Sequence, residues 1–69
     1  MLGARIKAYL EDHGIKQAFL VERTGLSKDA VWGICNKDRN IETLEYFKIC
    51  RALNVPLNYF LEETDLEVK

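Results

Sequence analysis

The chain has 69 residues, and its 10 Lys and Arg residues are nearly balanced by 11 Asp and Glu residues, which gives a formal net charge of −1. A chain of this length forms one small domain with a single core, which leaves little room for a deep catalytic cleft. The apolar share of 48% and the charged share of 30% are typical of a globular protein and exclude disorder. The near-neutral charge also excludes a strongly basic nucleic-acid coat protein, so any contact with nucleic acid must depend on where the charges lie.

Helical spacing of the apolar residues begins near the start of the chain and predicts three helices in the first half. The first helix ends at Gly14, and the second covers residues 16–24 and ends at Gly25, because glycine suits the left-handed position after a helix. Ser27 is a favourable N-cap for a third helix over residues 28–36, since its hydroxyl can accept from an unpaired backbone N–H.

Two more helices are predicted in the second half. The fourth covers residues 42–53, and Pro56 favours the start of a fifth over residues 57–62. Strand alternation is absent from the sequence, so we expect a compact all-α domain of five helices over residues 1–63. An acidic, frayed tail over residues 64–69 follows it.

The second and third helices are joined by a turn of three residues that contains Gly25. Two short helices joined in this way form a helix-turn-helix unit. On a helical wheel, Val31 and Ile34 lie on an inward side of the third helix. The opposite side displays Lys28, Asp29, Trp32, Gly33 and Asn36. Lys and Asn can bond to base edges in a DNA major groove, and Gly33 allows close approach of a partner to the backbone.

The sequence of residues 14–27, GIKQAFLVERTGLS, resembles the phage-repressor (Xre/Cro-type) helix-turn-helix family. RIK at residues 5–7 is similar to the first helix of that family, and KICRALNVPLNYFL at residues 48–61 is similar to its fourth and fifth helices. The resemblance covers residues 3–61 and implies a five-helix, lambda-repressor-like DNA-binding domain.

The resemblance also implies roles for individual residues. Gln17 matches the glutamine that binds a phosphate at the start of the second helix. The positions that match base-reading residues are Lys28, Asp29 and Trp32. The positions that match backbone-contacting residues are Ser27, Asn36, Lys37 and Arg39. The chain departs from the family at Val21, where alanine is usual, which predicts that the second and third helices are wedged slightly apart. It departs again at residues 35–37, which predicts a loop that is capped differently, and at Ile41, where a proline is common.

The net charge conceals an asymmetry between the two parts of the chain. Residues 1–39 hold seven basic and five acidic residues, a net +2, whereas residues 40–69 hold three basic and six acidic residues, a net −3. The positive part contains the helix-turn-helix, which is the sign expected for a surface that meets phosphates.

Several of these residues also have a simpler interpretation. Lys37 and Arg39 could be part of a solvated loop, and Trp32 could be a partly buried core residue. Asp29 could accept from a cytosine amino group or could favour the helix N-terminus through the helix dipole. Phe19 either tucks under a neighbouring helix or marks a contact surface.

The predicted fifth helix carries more apolar side chains than a short helix can bury. We expect some of them to form a homodimer interface through Leu57, Tyr59 and Phe60, as is common in the family. A two-fold dimer places two third helices about 34 Å apart, one DNA turn, and predicts a palindromic site. The alternative is a monomer with an apolar end.

The sequence therefore predicts a transcriptional regulator, with a repressor favoured, whose partner is double-stranded DNA. We expect no enzyme activity, cofactor, metal, membrane contact or small-molecule substrate, and we expect a cytoplasmic, nucleoid-associated protein with both cysteines reduced. The alternative function is a protein-interaction or antitoxin-like adaptor module on the same fold.

Overall fold

A computed structural model of the chain describes residues 2–37 and 39–61. These residues contain four α-helices: α1 (Leu2–Asp12), α2 (Gln17–Thr24), α3 (Lys28–Asn36) and α4 (Thr43–Leu53). Helix α1 packs on α3, and α2 packs on both α3 and α4. The all-α prediction is confirmed, and the third helix has the predicted bounds. The predicted tail over residues 64–69 lies outside the described residues.

One hydrophobic core holds the four helices together. Its fully buried side chains come from all four helices and are Ile6, Leu10, Leu20, Val31, Ile34, Ile49 and Cys50. Cys35 is also buried, and both cysteines are free thiols, so the described domain has no disulfide to supplement its core.

Helices α1 and α3 approach so closely that one position accepts only glycine. A Cβ atom built on the buried Gly3 overlaps the Ile34 carbonyl oxygen and lies 3.2 Å from the Ile34 carbonyl carbon. The absence of a side chain at Gly3 therefore sets how closely α1 supports the end of α3.

The turn between α2 and α3 is fixed by its own residues. Gly25 adopts a left-handed conformation with φ of 77°, which favours glycine, and its N–H donates to the Val21 carbonyl oxygen. The buried Thr24 hydroxyl donates to the Leu20 carbonyl oxygen and accepts from the Leu26 N–H at 3.1 Å. This hydrogen bonding holds the start of α3 at a fixed angle to α2.

The predicted fifth helix is wrong, because residues 57–60 form turns. Two isolated backbone bonds stabilise the turns, from the Tyr59 N–H to the Pro56 oxygen and from the Leu61 N–H to the Asn58 oxygen. The Leu57 carbonyl oxygen accepts from the Tyr46 hydroxyl, and the Phe60 carbonyl oxygen accepts from Arg5 Nη1 at 2.8 Å. Side chains of α1 and α4 thus satisfy carbonyl groups that a helix would have bonded internally.

Phe60 also differs from its prediction as an interface residue. It is only 5% exposed and belongs to the core, where its ring makes edge contacts with Tyr9 and Tyr59. Leu57 and Tyr59 remain 49% and 51% exposed. Phe60 is therefore unavailable to a partner in this structure, and the interface prediction can apply only to the other two residues.

None of the helices among the described residues is both long enough and apolar enough to cross a membrane.

Candidate nucleic-acid interface

Helix α3 has one buried face and one open face. Val31 and Ile34 are each 1% exposed and anchor the helix in the core. The exposed residues of the opposite side are Lys28, Asp29, Trp32 and Asn36, as the wheel predicts. The Trp32 side chain is 51% exposed, which favours the interpretation as a contact residue over that as a core residue.

The beginning of α3 is capped as predicted. Ser27 adopts an extended conformation, and its Oγ accepts from the Ala30 N–H at 3.0 Å. Its hydroxyl proton is a donor in addition to this accepted bond. Asp29 lies in the first turn of α3, where a negative charge is favourable to the helix dipole, so both interpretations of this residue remain open.

The end of α3 is joined to the beginning of α2. Asn36 Nδ2 donates to the Trp32 carbonyl oxygen at 3.1 Å and lies 3.4 Å from Gln17 Oε1. Gln17 is the first residue of α2. Two residues that the sequence suggested separately therefore form one polar pair, which links the N-terminus of α2 to the exposed face of α3.

Lys37 extends the same face past the end of α3. Its Nζ lies over the Trp32 ring, 5.5 Å from the ring centroid, which is a cation–π contact. The lysine is exposed, and the contact places its positive charge beside the indole.

Arg39 is held by a carboxylate. Its Nη1 and Nη2 donate to the two oxygens of Glu45 at 2.9 and 3.0 Å, and Glu45 Oε1 also accepts from the Glu42 N–H at 3.0 Å. The Arg39 guanidinium and the Glu42 N–H together lower the pKa of the Glu45 carboxyl. Arg39 thus braces the loop against α4, a role that the sequence analysis missed.

Gly33 has a role within the chain. A Cβ atom on Gly33 would lie 3.3 Å from Arg39 Cδ, and the Gly33 carbonyl oxygen accepts from the N–H groups of Lys37 and Arg39. Its lack of a side chain therefore makes room for the loop after α3. This accounts for the glycine without the approaching partner that the sequence analysis invoked.

A shallow apolar cleft of about 350 Å³ runs between α2 and α3 on this side of the molecule. Its lining residues are Gln17, Ala18, Val21, Glu22, Lys28, Val31 and Trp32. The cleft combines apolar walls with the amide of Gln17, the carboxylate of Glu22 and the ammonium group of Lys28. A surface of this composition can hold a methyl group while its polar edges form hydrogen bonds.

The short α2, the glycine turn and the open face of α3 define a helix-turn-helix protein. A family model described as a Cro/C1-type HTH DNA-binding domain matches residues 5–62 of the chain. The chain belongs to this family, and its partner class is DNA. Searches among curated proteins and solved structures found no significant match.

Proposed function

We propose that the protein is a sequence-specific transcriptional regulator, acting as a repressor, that inserts α3 into the DNA major groove as a homodimer on a palindromic site. The observation that carries this proposal is the open face of α3, where Lys28, Trp32 and Asn36 are exposed. The turn that precedes α3 is held by the hydrogen bond from the Leu26 N–H to the Thr24 hydroxyl. Membership of a DNA-binding family supports the same conclusion.

Base reading falls to the exposed side chains of α3. The Lys28 ammonium can donate to guanine O6 and N7, and Asp29 can accept from a cytosine amino group. Trp32 and the apolar cleft beside it suit the methyl group of thymine. The resemblance matches Asn36 to a backbone contact, but its exposed amide lies on the same face of α3, and we propose that it also reads a base edge.

Phosphate contacts fall to the residues that surround α3. Gln17 lies at the N-terminus of α2, where the helix dipole favours an anion. Lys37 supplies an exposed cation beside Trp32, and the Ser27 hydroxyl supplies a donor. Glu45 engages two of the five N–H donors of Arg39 and offsets its charge, so we assign Arg39 to positioning of the loop rather than to phosphate binding.

The homodimer is proposed to form through Leu57 and Tyr59, which are both about half exposed. Tyr59 packs edge-on against Tyr9 at 5.4 Å, and Tyr9 stacks on His13 at 4.0 Å, so aromatic surface continues from the turn onto α1. An aromatic surface of this kind suits a second copy of the chain.

The test is selection of bound sequences from a pool of random duplex DNA, with sedimentation of the free protein as a second measurement. We expect a palindromic motif with half-sites about 10 base pairs apart, centre to centre. We also expect a dimer that dissociates in the Tyr59→Ala variant. Recovery of random sequences would contradict base reading, and a single unrepeated half-site would contradict the dimer. A promoter–reporter assay with the selected site then distinguishes repression from activation.

Phosphate contact is tested by the dependence of binding on salt. We expect Lys37→Ala to reduce the slope of log affinity against log salt by about one unit, because one released counterion is lost. Arg51→Ala, which removes an exposed cation of α4 that lies over the Phe47 ring, is the matched control. Equal slopes for Lys37→Ala and the unmodified protein would remove Lys37 from the interface.

A further inference from the structure

A second open surface lies between α4 and the end of α2. It is a groove of about 440 Å³, here called the α4 groove. Its lining residues are Arg23, Leu44, Phe47, Lys48, Arg51 and Ala52. Leu44 is 62% exposed and Phe47 is 40% exposed, so the floor of the groove presents apolar surface to solvent. Neither the DNA interface nor the proposed dimer contact uses any of these residues.

The charged residues that line the α4 groove are all basic. None of the lining residues of the α4 groove is acidic. In the part of the chain that the structure describes, Arg23, Lys48 and Arg51 form no ion pair, whereas Arg39 does. The Arg51 guanidinium lies 5.7 Å from the Phe47 ring centroid, and that of Arg23 lies 5.2 Å from the Phe19 ring centroid. Aromatic faces thus hold two of the three cations at the border.

The apolar and basic residues of the α4 groove indicate what kind of partner can bind there. Apolar side chains that enter the groove would bury Leu44 and Phe47, and carboxylates beside them would meet Arg23, Lys48 and Arg51. An amphipathic helix that carries apolar residues on one side and Glu or Asp at its edges supplies both groups at the spacing of successive turns.

Two other occupants fit the groove less well. A second copy packed symmetrically on the α4 groove would bring two sets of the same three cations together, since a two-fold contact pairs a surface with itself. A DNA phosphate backbone would satisfy the cations but would leave Leu44 and Phe47 facing a charged, hydrated strand.

The α4 groove and the DNA interface lie on different sides of α2. The α2 residues of the DNA-side cleft run from Gln17 to Glu22, and their mean direction on a helical wheel is about 170° from that of Arg23. A partner in the α4 groove would therefore contact the side of α2 opposite to the DNA-side cleft.

We infer that the α4 groove is a docking site for an acidic amphipathic helix of another protein. This inference does not depend on DNA reading, and its first test contains no DNA.

The test is fluorescence anisotropy of the full chain with a labelled helical peptide of about 15 residues, with Leu along one face and Glu along its edges. Two control peptides replace the Glu residues by Lys or the Leu residues by Ala. We expect the Glu peptide to bind and both controls to lose binding. Absence of binding by the Glu peptide, or equal binding by the Lys peptide, would overturn the inference.

Variants locate the peptide on the protein. The double variant Lys48→Glu with Arg51→Glu should raise the peptide Kd by about tenfold or more, because two attractive contacts become repulsive. The milder Lys48→Gln with Arg51→Gln should raise it less, which keeps the test valid if charge reversal disturbs α4. Leu44→Ala with Phe47→Ala should also weaken binding. Lys16 is an exposed cation outside the groove, so Lys16→Glu should leave the peptide Kd unchanged. An equal effect of all the variants would contradict binding of the peptide in the α4 groove.

Two outcomes identify other occupants and would each overturn the inference. Displacement of the peptide by duplex DNA would make the groove a DNA contact. Dissociation of a dimer by the Lys48 and Arg51 variants would indicate a second copy of the chain. Tighter peptide binding after replacement of Glu62, Glu63, Asp65 and Glu67 by their amides would instead support the inference, because it would show that another acidic segment competes for the same groove.

Discussion

Replacement of Gly3 by alanine tests how closely α1 packs against α3. The added Cβ overlaps the Ile34 carbonyl oxygen and lies 3.2 Å from its carbonyl carbon and 3.8 Å from Ile34 Cγ2. A backbone oxygen cannot rotate away, so α1 and α3 must separate. Overpacking of this kind costs about 1–3 kcal/mol, and the backbone clash places Gly3→Ala near the upper end.

The magnitude corresponds to a large shift in thermal unfolding. For a domain of this size each kcal/mol lowers Tm by about 4–8 °C, so Gly3→Ala should lower it by about 10–20 °C. Circular dichroism during heating measures the shift. At an exposed helix position the same change would increase stability by up to about 1 kcal/mol. The sign of the Tm shift therefore shows whether Gly3 is packed against α3 or exposed. An unchanged or higher Tm would refute the close approach of α1 and α3.

Gly33→Ala is the matched control, because it makes the same change in α3. Its Cβ would meet Arg39 Cδ at 3.3 Å, which is part of an exposed side chain rather than of the backbone, although Glu45 holds the guanidinium at its end. The gain in helix propensity, about 1 kcal/mol, is offset by displacement of Arg39. We therefore expect a Tm close to that of the unmodified protein. A decrease in Tm as large as that of Gly3→Ala would contradict the explanation that backbone atoms beside Gly3 and a side chain beside Gly33 make the two substitutions differ.

The remaining predictions concern pH, thiol reactivity and phosphate binding. Arg39 lowers the pKa of Glu45 in the folded state. The stability that the pair contributes is therefore present above the unfolded pKa of about 4.3 and is lost as the pH falls through the folded pKa. The Tm difference between the unmodified protein and Glu45→Gln should shrink as the pH is lowered from about 6 to 3. Burial raises the pKa of both the Cys35 and the Cys50 thiol. A thiol reagent at neutral pH should therefore modify them slowly in the folded protein and rapidly in denaturant. Fast modification of the folded protein would contradict their burial. Gln17→Glu should weaken binding to selected and random duplexes by similar factors, because it places a carboxylate where a phosphate is proposed to bind; a loss confined to the selected duplex would instead make Gln17 a base reader.

Local signals were sufficient to predict the part of the fold that matters most for the interface. Gly25 and Ser27 mark the end of one helix and the cap of the next, and the structure has a left-handed glycine and a capping hydroxyl at these positions. The wheel of α3 likewise separates Val31 and Ile34 from Trp32, because an inward and an outward side follow directly from the helical period.

The errors arose where tertiary contacts decide local structure. Pro56 is a valid signal for a helix start, but the carbonyl groups of Leu57 and Phe60 are bonded by Tyr46 and Arg5, which come from distant parts of the chain. The same contacts carry Phe60 into the core. No local pattern of residues 56–61 contains this information.

Contacts between side chains of different elements were also beyond the sequence. The ion pair of Arg39 and Glu45 spans the boundary between a loop and α4, and the pair of Gln17 and Asn36 joins two helices across 19 positions. The overlap at Gly3 requires knowledge of where α3 lies relative to α1. Charge and residue type suggested which residues mattered, but the structure was needed to show which of them act together.

The claim that α3 reads bases is tested most directly by the ratio of affinities for the selected duplex and a random duplex. In anisotropy titrations at fixed salt, Lys28→Ala and Asn36→Ala should each reduce affinity for the selected duplex by about 5- to 100-fold, the equivalent of 1–3 kcal/mol. Their effect on the random duplex should be much smaller, so that the ratio falls. Equal losses on both duplexes, or no loss on either, would contradict the account.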